Sequence, residues 1–140
     1  NIKTYIHNLR PLDLLRVWVG LDGAAKNNGC LWGVPGSHRQ GVNHYSKVHV
    51  DPTTGKKTTI EERVDPPVTY SREGGVPIET EPGSIVILHG QFLHFSAKNT
   101  SEQQRHAYTL HILEDELNAR YDPGNWIQRT GADEPFQKIP

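Results

Sequence analysis

Apolar and polar positions alternate over residues 14–21. Leu15, Val17, Val19 and Leu21 fall on one face of an extended strand, and Arg16, Trp18 and Gly20 on the other. Residues 22–29 (DGAAKNNG) break the alternation, and Asn28-Gly29 is a dipeptide that accepts positive φ at low steric cost. Residues 30–34 predict a second short strand, followed by a turn at Pro35-Gly36-Ser37-His38. Residues 76–80 predict the start of another. The stretch 83–113 then reads strand, turn, strand. Ile85 to Leu88 follow the turn signal Pro82-Gly83, and Gly90 interrupts the run. His94 lies at that strand's edge, two residues before Ser96, and Arg105 opens the next strand. After a polar loop (98–104) the chain becomes apolar again from Arg105 through Tyr108, Leu110 and Ile112. Were these two strands neighbours in a barrel, His94 and Arg105 would face one pocket.

Residues 39–75 form a polar excursion punctuated by Pro52, Gly55, Pro66-Pro67 and Gly74-Gly75. Only short pieces such as Val68 to Tyr70 read as strands there, and the length predicts a mobile lid or loop. Residues 1–10 show no period. Trp126, Ile127, Pro135 and Phe136 could pack as a tail against the barrel. With no long amphipathic helix and no repeat, the fold class is all-β, a sandwich or jelly-roll barrel.

Composition narrows the function. A chain of 140 residues is one domain at most. A net charge of −1 without a basic run disfavours nucleic acid. No apolar run approaches the ~20 residues of a membrane span, and none resembles a signal peptide. The single cysteine, Cys30, excludes an internal disulfide and is compatible with a reducing compartment. The chain has no methionine, so Asn1 is not an initiator and the sequence reads as part of a longer protein.

Eight histidines raise the question of a metal. His44 and His106 read as solvent-facing, and His7 lies in an unpatterned segment. His89 reads as a buried, hydrogen-bonded side chain. His111 is six residues beyond Arg105, roughly 20 Å along an extended strand, and is expected outside the pocket. His94 is the candidate metal ligand, with a hydrogen-bonded core histidine as the competing reading. Arg105 is the second candidate. Pointed inward, its guanidinium needs an anion, because an unpaired buried charge is costly. A bound dicarboxylate could supply one through a bidentate fork; a surface arginine on an edge strand is the other reading.

The blocks NGCLWGVPGSH (28–38) and GSIVILHGQFLHFSAKNTSEQQRHAYTLH (83–111) together resemble the phytanoyl-CoA dioxygenase family. The resemblance runs from about Pro11 to Trp126 and is weakest in residues 39–75. It implies a double-stranded β-helix, a cupin-like jelly roll. It also implies an Fe(II) site of two histidines and one aspartate, with 2-oxoglutarate and dioxygen as cosubstrates in the hydroxylation of a small organic or acyl-CoA-type substrate. Such a ligand set leaves one face of the iron open. Carried over residue by residue, His94 is the distal histidine ligand and Arg105, eleven residues later, clamps the far carboxylate of 2-oxoglutarate. Ser96 would bond that carboxylate and Trp18 would line the cosubstrate pocket.

The family's upstream His-x-Asp pair is missing. Aligned from Pro11 it falls on Asn1 and Lys3; aligned from Trp18, just before the chain and on Ile2. The sequence does contain His49-Val50-Asp51, but within the polar excursion and after PGSH, the wrong place in the family's order. The chain therefore reads as the C-terminal part of an oxygenase whose N-terminal part is absent, and these 140 residues alone are expected to be inactive. The alternative is a non-catalytic β-barrel binding protein that keeps Arg105 and has lost the iron site. The C-terminus is no peroxisomal address of the Ser-Lys-Leu kind, and a cytoplasmic location is expected.

Overall fold

A computed structural model describes residues 14–41, 44–63, 71–113 and 139. Within them lie eight strands: β1 (Leu14–Gly20), β2 (Leu31–Gly33), β3 (His44–Val50), β4 (Lys57–Arg63), β5 (Val76–Ile78), β6 (Ile85–His89), β7 (His94–Ser96) and β8 (Ala107–Leu113). They form one sheet of order β6-β1-β8, a second of order β5-β2-β7, and a separate β3-β4 ribbon. All pairings are antiparallel.

The alternation in β1 decides which way the first sheet faces. Leu14 and Trp18 are buried, and Leu88, opposite Arg16, is buried with them. The face carrying Arg16 and Trp18 is thus the inner one. The stripe Leu15, Val17 and Val19 points outward, joined across the register by Ile85 and Ile87 of β6 and by Tyr108 and Leu110 of β8. Leu15, Ile85, Ile87, Tyr108 and Leu110 are all exposed. The inner face meets the second sheet through a core of Trp18, Ala24, Cys30, Leu31 and Leu88, with Ile78, Val86, Phe92 and Ala107 packed around it. Burial of these apolar side chains is the main source of stability.

Two sequence expectations change here. The strands at 85–89 and 107–113 are not neighbours, because β1 lies between them. Nor does His94 sit at the edge of the preceding strand. It opens β7, in the other sheet, because residues 90–93 carry the chain across. The Gly90 N–H donates to the Leu14 carbonyl (2.8 Å) and the Phe92 N–H to that of His89 (2.9 Å). A Cβ on Gly90 would stand 2.9 Å from both the Cβ and the carbonyl oxygen of Leu14, so only glycine allows this approach.

The polar excursion is also more regular than its composition suggests. β3 and β4 pair over seven residues each, from His44↔Arg63 to Val50↔Lys57. Asp51 closes the turn by accepting the N–H groups of Thr53 and Thr54, each at 2.8 Å. Apolar periodicity could not reveal these strands because the ribbon forms a sheet of its own, and its described side chains, at 47–50 and 57–60, are exposed or half-buried. Val68 to Tyr70 and the tail residues 126–136 lie outside the described residues. Among the described residues no helix is long and apolar enough to cross a membrane.

Candidate functional site

The site lies between the inner faces of the two sheets. In β7, residues two apart share a face, so His94 and Ser96 project together, about 6.6 Å apart along the strand. In β1 the same parity places Arg16 beside Trp18. Cross-sheet contacts join the pairs: Arg16 reaches His94, and Arg105 reaches both Ser96 and Trp18.

His94 is held in one tautomer. Its Nδ1 lies 2.8 Å from the Phe92 carbonyl, which can only accept, so Nδ1 carries the proton. That leaves Nε2 as the acceptor, with Arg16 Nη1 at 3.4 Å. A ring N–H donated to a backbone carbonyl is the usual preparation of a histidine for metal binding through its other nitrogen. Gly33, paired with His94, has no side chain on this face, and a Cβ there would meet the Phe92 ring at 2.5 Å.

Arg105 lies two residues before β8 and is half-buried. Its guanidinium carbon is 5.9 Å from the centre of the Trp18 ring, within range of a cation–π contact. Nη2 makes a long bond, 3.4 Å, to Ser96 Oγ. The Ser96 hydroxyl donates to the Gly29 carbonyl at 2.8 Å, so toward Arg105 it can only accept. Gly29 offers that carbonyl from a left-handed turn (φ 87°), and a Cβ there would press within 3.1 Å of the Ala97 carbonyl oxygen. Asn28 braces the turn, accepting from the Ala25 N–H (2.7 Å) and donating to the Gly23 carbonyl (2.9 Å). Arg105 Nε is buried without a hydrogen-bond partner. A buried donor in that state is costly and marks a place for an absent acceptor.

Beneath this clamp Cys30 is fully buried. Burial first, then the charge of Glu79, raises its thiol pKa, while Arg105 acts in the opposite sense. Cys30 is therefore a small core side chain here and not a nucleophile.

His111 is a correction to the sequence reading. It stands directly across from Arg16 in the β1–β8 register. Burial lowers its pKa, and the charge of Arg16 lowers it further. It is distant from Arg105 along the strand, but the inner face extends past Trp18 to Arg16, and His111 sits at that end. Arg16, which contacts His94, is not among the residues the sequence singles out. The available signal was its shared parity with Trp18 between apolar neighbours.

The other histidines lie elsewhere. His89 is paired with Leu15 on the outward face. Its Nδ1 accepts the Gln91 N–H at 3.1 Å, and its ring lies 5.2 Å from that of His38. His106 is exposed and bonded to Asp22 at 2.8 Å. His49 is exposed on the ribbon, and the Asp51 carboxylate is engaged in the ribbon's turn. His7 and the side chain of His44 are outside the described residues.

As a metal site the described residues are incomplete. Among them no group of three or more histidine, cysteine, aspartate or glutamate side chains could hold an ion. His94 fits the part of one ligand. Positions 1–3, where the missing pair would align, are outside the described residues. For a dicarboxylate the fit is better: a buried, unsatisfied guanidinium donor lies beside an aromatic wall.

Fold and site together define a jelly roll in which Arg16 contacts His94, and Arg105 contacts Ser96 and Trp18, across facing sheets. The family model for phytanoyl-CoA dioxygenase (PhyH) matches residues 3–107. The chain belongs to that family. It is 34% identical over 131 residues to phytanoyl-CoA dioxygenase 1 of Oryza sativa subsp. japonica, covering 90% of this chain and 42% of the rice protein. It is 37% identical over 126 residues to phytanoyl-CoA dioxygenase domain-containing protein 1 of Danio rerio, covering 90% of this chain and 41% of that protein. The chain thus spans about two fifths of the length of these relatives. The crystal structure of EvdO2 from Micromonospora carbonacea var. aurantiaca complexed with 2-oxoglutarate shares the fold. Its TM-score is 0.55 at 24% identity, over 86% of this chain and 48% of that one. A second EvdO2 structure gives 0.53 at 25% identity, over 88% and 46%. The all-β, cupin-like jelly roll expected from the sequence is therefore the fold of this protein.

Proposed function

We propose that the chain supplies the cosubstrate clamp and one metal ligand of an Fe(II)- and 2-oxoglutarate-dependent dioxygenase that hydroxylates a small organic molecule. Family membership supports the reaction class. The observation that carries it to this chain is the joint placement of Arg105 and His94. The Arg105 guanidinium, with its buried Nε lacking a partner, reaches Ser96, and His94 projects from the same face two residues away. A separation of about 6.6 Å along the strand suits a five-carbon diacid held at both ends. Arg105 grips the far carboxylate through charge-assisted hydrogen bonds, which a planar fork makes in pairs. Trp18 walls the carbon chain. Ser96, whose proton goes to the Gly29 carbonyl, orients Arg105 as an acceptor instead of bonding the carboxylate as the resemblance implies. Fe(II), when bound, supplies oxygen activation coupled to decarboxylation of the cosubstrate. His94 Nε2 would hold it together with two ligands outside the described residues.

Family membership favours this reading over a binding protein without iron; the tautomer of His94 suits both, since Arg16 Nη1 also donates to Nε2. The test is succinate release from 2-oxoglutarate under air, using a polypeptide that includes the residues encoded upstream of Asn1. Release that is lost in His94→Ala supports the proposal. An absence of His-x-Asp upstream, together with no release, supports the binding protein.

A further inference from the structure

The turn Pro35-Gly36-Ser37-His38, which follows β2, reaches His94 by way of one peptide plane. Ser37 has no solvent exposure, and its Oγ accepts the N–H of Leu93 at 2.8 Å, 56 residues away in sequence. Leu93 is buried too. Its N–H and the Phe92 carbonyl belong to the same peptide bond. That unit is planar and trans, so the two groups point in opposite directions from one rigid body. The Phe92 carbonyl is the group that accepts the Nδ1 proton of His94, also at 2.8 Å. Holding the N–H on Ser37 therefore aims the carbonyl at His94. The next plane is held as well: the Val34 N–H donates to the Leu93 carbonyl at 3.0 Å, and Gly33 pairs with His94. The His38 ring lies 5.2 Å from that of His89, where the crossing between the sheets begins. The turn thus braces both ends of the stretch that ends on His94.

We infer that Ser37 is a positioning residue for His94: its hydroxyl fixes the Phe92–Leu93 peptide plane, and that plane fixes the imidazole. Without the Ser37 acceptor the Leu93 N–H becomes a buried donor lacking a partner, which is costly. Turning the plane to relieve it takes the Phe92 carbonyl off Nδ1, because one rigid unit carries both groups. Hydrogen bonds to the far nitrogen of a histidine orient the ring and its other nitrogen. The role of Ser37 in catalysis rests on the oxygenase reading above, in which Nε2 is presented to the metal. The positioning itself needs no metal. Arg16 Nη1, 3.4 Å from Nε2, favours the same tautomer whatever Ser37 does. The tautomer therefore does not report on Ser37; the hold on the Nδ1 proton does.

The experiment follows two protons, Leu93 N–H and His94 Nδ1–H, as they exchange with water. It uses NMR of the nitrogen-15-labelled, metal-free polypeptide that includes the residues encoded upstream of Asn1. In the unaltered protein both protons should be protected. In Ser37→Ala both should exchange about tenfold or more faster, the effect of one buried donor losing its acceptor. Ser37→Cys keeps nearly the same shape but accepts only weakly through sulfur. It should show the same loss, and it decides the matter where the alanine variant does not fold. Val86→Ala, a core truncation in the other sheet, should leave both rates within about twofold, as distant sites act independently. Faster exchange of Leu93 alone overturns the proposal, since Ser37 then only packs the turn. So does equal acceleration in Val86→Ala, protection that survives in Ser37→Cys, or an unprotected Nδ1 proton in the unaltered protein. Failure of the unaltered protein to bind 2-oxoglutarate when loaded with Fe(II) overturns the oxygenase reading instead, and leaves the Ser37 result standing.

Discussion

The guanidinium carbon of Arg105 lies 5.9 Å from the centre of the Trp18 ring, while its Nε is buried without an acceptor. One residue comes from the loop before β8 and the other from the middle of β1, so their contact fixes the depth of the clamp. Arg105→Ala should weaken 2-oxoglutarate binding about tenfold or more, since charge-assisted bonds contribute roughly 1.5–3 kcal/mol each. Arg105→Lys should recover little, because a point charge cannot replace a planar fork. Calorimetric titration of both variants checks this, and unchanged affinity in the alanine variant removes Arg105 from the site.

Gly90 is a second sensitive point, on stability. Leu14 occupies the space a Cβ would need, through its backbone oxygen as well as its side chain, each at 2.9 Å. Gly90→Ala should cost about 1–3 kcal/mol by overpacking. Gly23→Ala is the control: its nearest neighbour would be Pro82 Cδ at 3.6 Å, an ordinary contact, and it should change stability by less than about 0.5 kcal/mol. Urea denaturation at constant slope compares the two.

Both predictions depend on features that the sequence revealed unevenly. The strand at 14–20, the short strands near 31 and 76, and the turns at Gly29 and Gly83 were legible because alternation and turn chemistry are local. His94, Ser96, Arg105 and Trp18 were legible as candidates through resemblance; the structure sets Arg105 against Trp18 and Ser96, and Ser96 two residues from His94 on one strand. Which strands are neighbours was not legible. Placing β1 between β6 and β8, and β7 in the other sheet, depends on contacts distant in sequence, such as Gly90 on Leu14. The same long-range register sets His111 across from Arg16, a pairing that no spacing along one strand could show. The β3-β4 ribbon escaped for a different reason: its pairing is backbone-driven and leaves no apolar stripe.

The ribbon makes a direct prediction. Lys56 and Lys57 stand at the end of its turn, both exposed, while β3 and β4 protect each other's backbone on either side. Brief trypsin treatment should cut first after Lys56 or Lys57 and later at Arg16 or Arg105, which are half-buried in the body. Mass spectrometry of the first fragments decides it. Early cleavage at Arg105 would contradict its placement.

Acid should act at the junction of β1 and β8. Asp22 accepts the His106 N–H at 2.7 Å and its ring Nδ1 at 2.8 Å. The backbone bond, then the side-chain bond, lowers the Asp22 pKa below its ordinary 3.8. A depressed folded pKa means that the contact contributes fully above the unfolded value. The contribution is lost as pH falls below 3.8 through the folded value. His106→Ala should move the carboxyl titration back toward 3.8, but only part of the way, since the backbone donor remains. Carbon-13 NMR of the Asp22 carboxyl reads this directly, and an unmoved midpoint would show that the imidazole contributes nothing.

The central claim is that His94 and Arg105 hold a metal and 2-oxoglutarate together in one pocket. The most direct measurement is an anaerobic titration with 2-oxoglutarate of the Fe(II)-loaded polypeptide that includes the residues upstream of Asn1, followed by the visible metal-to-ligand charge-transfer band. The account predicts a saturable band that disappears in His94→Ala and needs about tenfold or more cosubstrate in Arg105→Ala. No band, or one that His94→Ala leaves intact, would contradict it.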